Sequence, residues 1–144
     1  MPVTYLLDTN IISHLMKEVS SENLKRYRAR LQSEPDCTVV TSVVVQCELL
    51  FGLARHPSPR LQRAYALQME HLPAIALEPS VCTHYANLRT FLDQAGTPIG
   101  ANDTLIAAHA IALDATLVSA DAAFARVPGL RLENWFEVPA AALS

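Results

Sequence analysis

The sequence predicts an α/β fold, a three-layer sandwich in which a mostly parallel sheet of about five strands lies between helices. Two observations carry this. Short apolar or β-branched runs alternate with helix-length segments, the order that repeated strand–helix units produce. Hydrophobic residues make up 51% of the 144 and charged residues 17%, which excludes a disordered chain and suits a sheet covered on both faces. The length is that of one domain, and no linker, repeat or low-complexity tract divides residues 1–144.

The first strand is Tyr5-Leu6-Leu7, and Asp8-Thr9-Asn10 follows at once. An acid at a strand end and residues suited to start a helix lead into a short helix over 10–18. Asp8 or Asn10 serves as a plain helix cap, or Asp8 faces the crevice beyond the strand end where α/β sheets bind ligands. Ser20 and Ser21 are placed to cap a helix over 22–33, which Pro35 ends. Cys37–Thr41 is β-branched and reads as the second strand. Ser42 opens a helix to Arg55, stopped by His56-Pro57-Ser58-Pro59, and another helix spans 60–71. Ala74–Leu77 is the third strand, and Pro79-Ser80 begins a helix through Gln94. After the turn Ala95–Pro98, Asn102 is placed to cap an Ala-rich helix through Asp114. Thr116–Ser119 and Leu130–Leu132 complete the strands.

No apolar run approaches the ~20 residues of a membrane span, and no secretory signal is visible at Met1-Pro2-Val3-Thr4. Cys37, Cys47 and Cys82 are odd in number and lack zinc spacing, so they read as reduced core residues of a cytoplasmic protein. The net charge is −3, but its distribution is uneven. Lys17, Lys25, Arg26, Arg28 and Arg30 face only Glu18 and Glu22, and Arg55, Arg60 and Arg63 have no acid between them. Two basic helical faces beside an acidic remainder suit a phosphate backbone held near an acidic metal site, or simply a solvated surface.

Four acids stand out. Asp8 is the first. Glu48 shares a helical face with Val44, Val45, Phe51 and Gly52, so its carboxylate projects from an apolar stripe and calls for a cation, either a side chain or a metal. Asp103 lies in the first turn of its helix, where the helix dipole favours an anion, and its face continues inward through Ile106, Ala107 and Ala110. Asp121 follows the strand Thr116–Ser119 as Asp8 follows its own, and also reads as a turn or cap residue. All parallel strands end on one edge of a sheet. Carboxylates gathered there without a cation repel, at ~4 kcal/mol for unit charges ~4 Å apart in an effective dielectric of 20. Oxygen ligands with no His–Cys set suit Mg²⁺ or Mn²⁺. His14, His56, His71, His84 and His109 form no ligand spacing and read as surface or core residues.

Leu6–Asn10, Glu48–Leu53, Ile99–Ala108, Val127–Leu130 and Glu133–Trp135 together resemble a PIN-domain ribonuclease of the VapC toxin type, from end to end and in the family's order. The resemblance implies a PIN-like α/β/α sandwich and a metal-dependent endoribonuclease using Mg²⁺ or Mn²⁺. It also implies a homodimer silenced by a cognate antitoxin in a larger assembly. Carried over by position, the family's acidic set falls on Asp8, Glu48, Asp103 and Asp121 as catalytic residues and metal ligands. Thr9 and Asn10 match the residues after the first acid, and Ser119 stands where the family often has Thr. The family varies at the fourth acid, and Ser119-Ala120-Asp121 replaces a more polar segment. Two other readings stand beside this one. One is an inactive binding module of the same fold, with Phe51, Leu53 and the region 65–72 as partner surface. The other is a haloacid-dehalogenase-like phosphatase, which wants an Asp where this chain has Asn10.

Overall fold

The computed structural model describes residues 2–17 and 21–137. The elements are β1 (Thr4–Leu7), α1 (Thr9–Lys17), α2 (Glu22–Gln32), β2 (Thr38–Ser42), α3 (Val43–Arg55), α4 (Pro59–Glu70), β3 (Ala74–Ile75), α5 (Ser80–Gln94), α6 (Ala101–Ala112), β4 (Thr116–Val118) and β5 (Leu132–Glu133), with a 3-10 turn at Ala122–Arg126. Each element anticipated from the sequence is present, with ends shifted by a residue or two. Glu18 and Ser20, assigned to helix ends, lie outside the described residues. Ser21 caps α2, its hydroxyl accepting from the Leu24 amide. Ser58 and Pro59 form the start of α4, where proline's missing donor leaves nothing unpaired.

One sheet of five parallel strands runs in the order β3-β2-β1-β4-β5. From β1 the chain moves outward through β2 to β3, then returns across the sheet to β4 on the other side of β1. Right-handed crossovers therefore put the helices before β3 on one face and those after it on the other. The direction reverses between β1 and β4, and the crevice beyond that reversal is where such sheets take ligands. Leu7 pairs with Val118, and the Asp8 amide donates to the Val118 carbonyl at 2.9 Å. Asp8 and Ser119 thus sit side by side, each one residue beyond its strand.

The centre of the sheet is dry. Leu6, Ile11, Ile12, Val45, Ile106 and Leu117 are fully buried, as near-continuous apolar strands flanked by helices require. Around them α5 packs on α6, and α1 packs on both α3 and α4. The cysteines depart from expectation: Cys47 and Cys82 are exposed and Cys37 is half-buried, because α3 and α5 turn those positions away from the sheet.

The basic stretch 17–30 is also not the uniform nucleic-acid face that its charge allows. Arg30 Nη2 donates to Tyr5 Oη at 2.7 Å and to Glu133 Oε1 at 3.0 Å, and its guanidinium lies over the Tyr5 and Trp135 rings. Trp135 Nε1 donates to the same Glu133 oxygen. Arg26 donates to the Phe136 carbonyl at 3.0 Å. Both side chains tie α2 to the segment after β5. Replacing Arg30 with Ala is expected to cost ~1–2 kcal/mol, discounted for partial exposure, in a urea unfolding curve. An unchanged midpoint would make the contact incidental.

Candidate metal and nuclease site

Asp8 is 4% exposed. Its Oδ1 accepts the Thr9 amide at 2.8 Å, and its Oδ2 accepts the Ser119 hydroxyl at 2.8 Å and Asn10 Nδ2 at 3.3 Å. Burial pushes its pKa up to about 6. The Ser119 and Thr9 hydrogen bonds oppose that rise, and the negative fields of Asp103 and Glu48 add to it. Asp8 also occupies the position directly before α1, so it is the residue at the helix start. Of the two cap candidates read from the sequence, Asp8 and not Asn10 stands at the helix start. The Thr9 and Asn10 side chains turn to the neighbouring loops and helix.

Ser119 is the junction. Its hydroxyl gives its one proton to Asp8 and accepts from Asn10 Nδ2 at 3.2 Å and from the Asp121 amide at 3.0 Å, which fills its donor and both acceptor sites. Asn10 Oδ1 accepts the Ala120 amide at 3.1 Å, locking the β4 loop onto α1. Thr9 Oγ1 donates to Glu48 Oε1 at 2.7 Å. Glu48 is only partly buried, and its stripe reaches the surface, where Phe51 is 63% exposed. The expected demand for a cation at Glu48 is therefore weaker than the sequence suggested, because a hydroxyl already meets the carboxylate.

Asp103 is in the first turn of α6. Its pKa is raised, first by burial and then by Glu48 and Asp121. The residue before the helix is Gly100, with no side-chain cap, so Asn102 is a helical residue rather than the cap. Asp121 is exposed and caps the 3-10 turn, Oδ1 accepting the Ala123 amide at 2.9 Å. Its capping reading holds, and its charge still reaches Asp103. Asp8 thus lies in the fields of Asp103 and Glu48, and Asp103 in those of Glu48 and Asp121.

Among the described residues, none of the four makes an ion pair with Lys, Arg or His, and no group of three or more His, Cys, Asp or Glu side chains is arranged to hold a metal ion.

Sequence reasoning passed over one contact. His109, 1% exposed on α6, brings Nδ1 within 2.7 Å of Ser42 Oγ, the N-cap of α3. It joins the helix of Asp103 to that of Glu48. Burial lowers its pKa, which favours the neutral ring. A lone histidine in an Ala-rich apolar helix was the available signal.

The sequence pattern of the PIN domain matches residues 5–130. This chain belongs to the PIN-domain family. A Rickettsia felis protein named ribonuclease VapC2 is 34% identical over 133 residues, covering 91% of this PIN domain chain and 97% of that protein. Among solved structures, VapBC2 of Rickettsia felis bound to a promoter DNA fragment matches with a TM-score of 0.84 at 34% identity, over 92% of this chain and 99% of that one. VapBC-1 of nontypeable Haemophilus influenzae matches with a TM-score of 0.83 at 31% identity, over 94% and 100%. The PIN fold read from the sequence is therefore the fold observed, and no helix among the described residues is long and apolar enough to cross a membrane.

Proposed function

We propose that this chain is a VapC-type toxin, an endoribonuclease that hydrolyses RNA phosphodiester bonds with Mg²⁺ or Mn²⁺ and is restrained by a partner antitoxin. The observation that carries the proposal is the buried Asp8 carboxylate at the sheet's reversal point, within the fields of Asp103 and Glu48 and without an ion-pairing side chain among the described residues. An all-oxygen donor set of net negative charge fits a hard divalent cation. Asp8, Asp103 and Glu48 would hold it, with Asp121 at the exposed rim. A cation held there would activate water and offset charge on the scissile phosphate.

The remaining residues position these acids. Ser119 and the Thr9 amide orient the Asp8 carboxylate, and Thr9 Oγ1 orients Glu48. Asn10 braces the β4 loop through Ala120. As pH rises through about 6 Asp8 ionises and becomes competent as a ligand. The exposed Lys17, Arg28 and Arg63 suit contact with the RNA backbone. The VapC relatives and the VapBC complexes support the toxin reading and an antitoxin partner, and a homodimer is the expected free form. Asn10 speaks against the phosphatase, because its amide offers no acid–base group and is engaged by Asp8, Ser119 and Ala120.

The experiment is incubation of the purified chain with RNA and Mg²⁺, with and without chelator, and with a small phosphate ester as a parallel substrate. Chelator-sensitive internal cleavage leaving 5′-phosphate and 3′-hydroxyl ends is expected. Turnover of the ester alone would favour the phosphatase, and turnover of neither the inactive binding module.

A further inference from the structure

A cavity of about 210 Å³ opens beside Glu48, and two of its lining residues, Thr9 and Glu48, belong to the site already described. Its walls are apolar: Met16 from α1, Leu49 and Leu53 from α3, and Leu61 from α4. Polar groups complete the lining, namely Ser13, Lys17 and His56. For scale, an engineered apolar cavity of roughly 150 Å³ takes one benzene ring. Apolar faces with a few polar groups are what a flat heteroaromatic ring with polar edges requires. The Met16 thioether adds a favourable contact to an aromatic ring.

We infer that this cavity receives an unpaired nucleobase of the RNA, from a nucleotide adjoining the bond to be cut. The inference rests on the ribonuclease reading and adds to it the part of the substrate held. A strand whose phosphate lies at Asp8 and Glu48 carries a neighbouring base past the opening, since the two sites share residues. Lys17 is placed to meet the phosphate of that nucleotide. Bases splayed from single strands and loops are free to enter such a pocket, whereas stacked bases of a duplex are not. The pocket would thereby select unpaired RNA and set which positions are cut.

Gly52 provides the test. It lines the cavity one helical turn after Glu48, and a Cβ built on it meets nothing within 4 Å. Gly52→Leu therefore adds a side chain at the cavity's lining whose Cβ meets no clash, in a helix where Leu is the better former. The probe is a short labelled single-stranded RNA containing all four bases, cleaved by the full chain in Mg²⁺. KM is expected to rise about ten-fold, equivalent to about 1.4 kcal/mol of lost contact, with kcat within two-fold and an altered set of cleavage positions. Mn²⁺ affinity by calorimetry should stay as in the wild type. Gly52→Ala should give a smaller shift in the same direction. Ser13→Leu, which narrows the cavity from α1, should repeat the effect independently.

Unchanged KM and cleavage positions in both Gly52→Leu and Ser13→Leu, with the wild type active, would overturn the inference and leave the ribonuclease reading intact. Unchanged cleavage with loss of inhibition by antitoxin would give the cavity to a protein side chain, and would also overturn it. A wild type that cuts no RNA would remove the ribonuclease reading first and the inference with it.

Discussion

Asp8→Asn is expected to lower kcat/KM for Mg²⁺-dependent RNA cleavage by ~10³-fold or more while leaving the protein folded. Asp8 is the most buried of the four acids and the one at the sheet's reversal point. Removing a single electrostatic contact to a developing oxyanion costs ~10²–10³ in other hydrolases. Loss of a charged metal ligand is larger, because it weakens the cation's hold as well as its position. The fold should tolerate the change. An amide oxygen still accepts the Thr9 N–H, and the charge removed is one that burial disfavours. The check is steady-state cleavage of a labelled RNA beside thermal unfolding in chelator. A well-folded variant as fast as the wild type would take Asp8 out of the mechanism.

The same carboxylate should make the metal-free protein less stable as pH rises. Its folded pKa of about 6 lies above the ordinary 3.8, so between these values the folded state holds a proton that the unfolded chain has released. Stability then falls with increasing pH. The contribution is fully present below about 4 and lost as pH rises through about 6. The shift corresponds to ~3 kcal/mol. His109 acts in the opposite sense. Its folded pKa is depressed, so its contribution is present above the ordinary histidine value of 6.5 and is lost as pH falls. Comparing the wild type with Asp8→Asn separates the two, because His109 is common to both. In urea unfolding with chelator, the stability of the wild type relative to the variant should drop by ~2 kcal/mol between pH 4 and pH 7. Parallel profiles would mean that Asp8 is not held in a desolvated, negative setting.

Much of this was legible in the chain because its signals are local. A β-branched run such as Thr38–Val40 and stops such as Pro57 and Pro59 report strands and helix ends directly, and the acids beyond β1 and β4 follow from them. Strand order is a different matter. Nothing in Tyr5–Leu7 or Thr116–Val118 says that these strands are neighbours, yet that adjacency brings Ser119 to Asp8 and makes the crevice. Helix caps were read well where a hydroxyl does the work, as at Ser21 and Ser42. The α6 start was misread because Gly100 caps through the backbone alone, leaving Asn102 as the more conspicuous residue. Arg30 shows the limit for charge. Its count suggested a nucleic-acid face, but Tyr5, Trp135 and Glu133 come from distant elements and claim it in the fold. Glu48 is similar, since the hydroxyl that meets it stands 39 positions away.

The most direct measurement is calorimetric titration of Mn²⁺ into the chelator-treated wild type, Asp8→Asn and Asp103→Asn at pH 7.5, where Asp8 is ionised. A saturable site in the wild type that weakens by at least ~10-fold in each variant is the expected result, since each substitution removes one anionic oxygen ligand. Equal Mn²⁺ binding by all three folded proteins, or no saturable site in the wild type, would contradict the claim that these carboxylates form one metal centre.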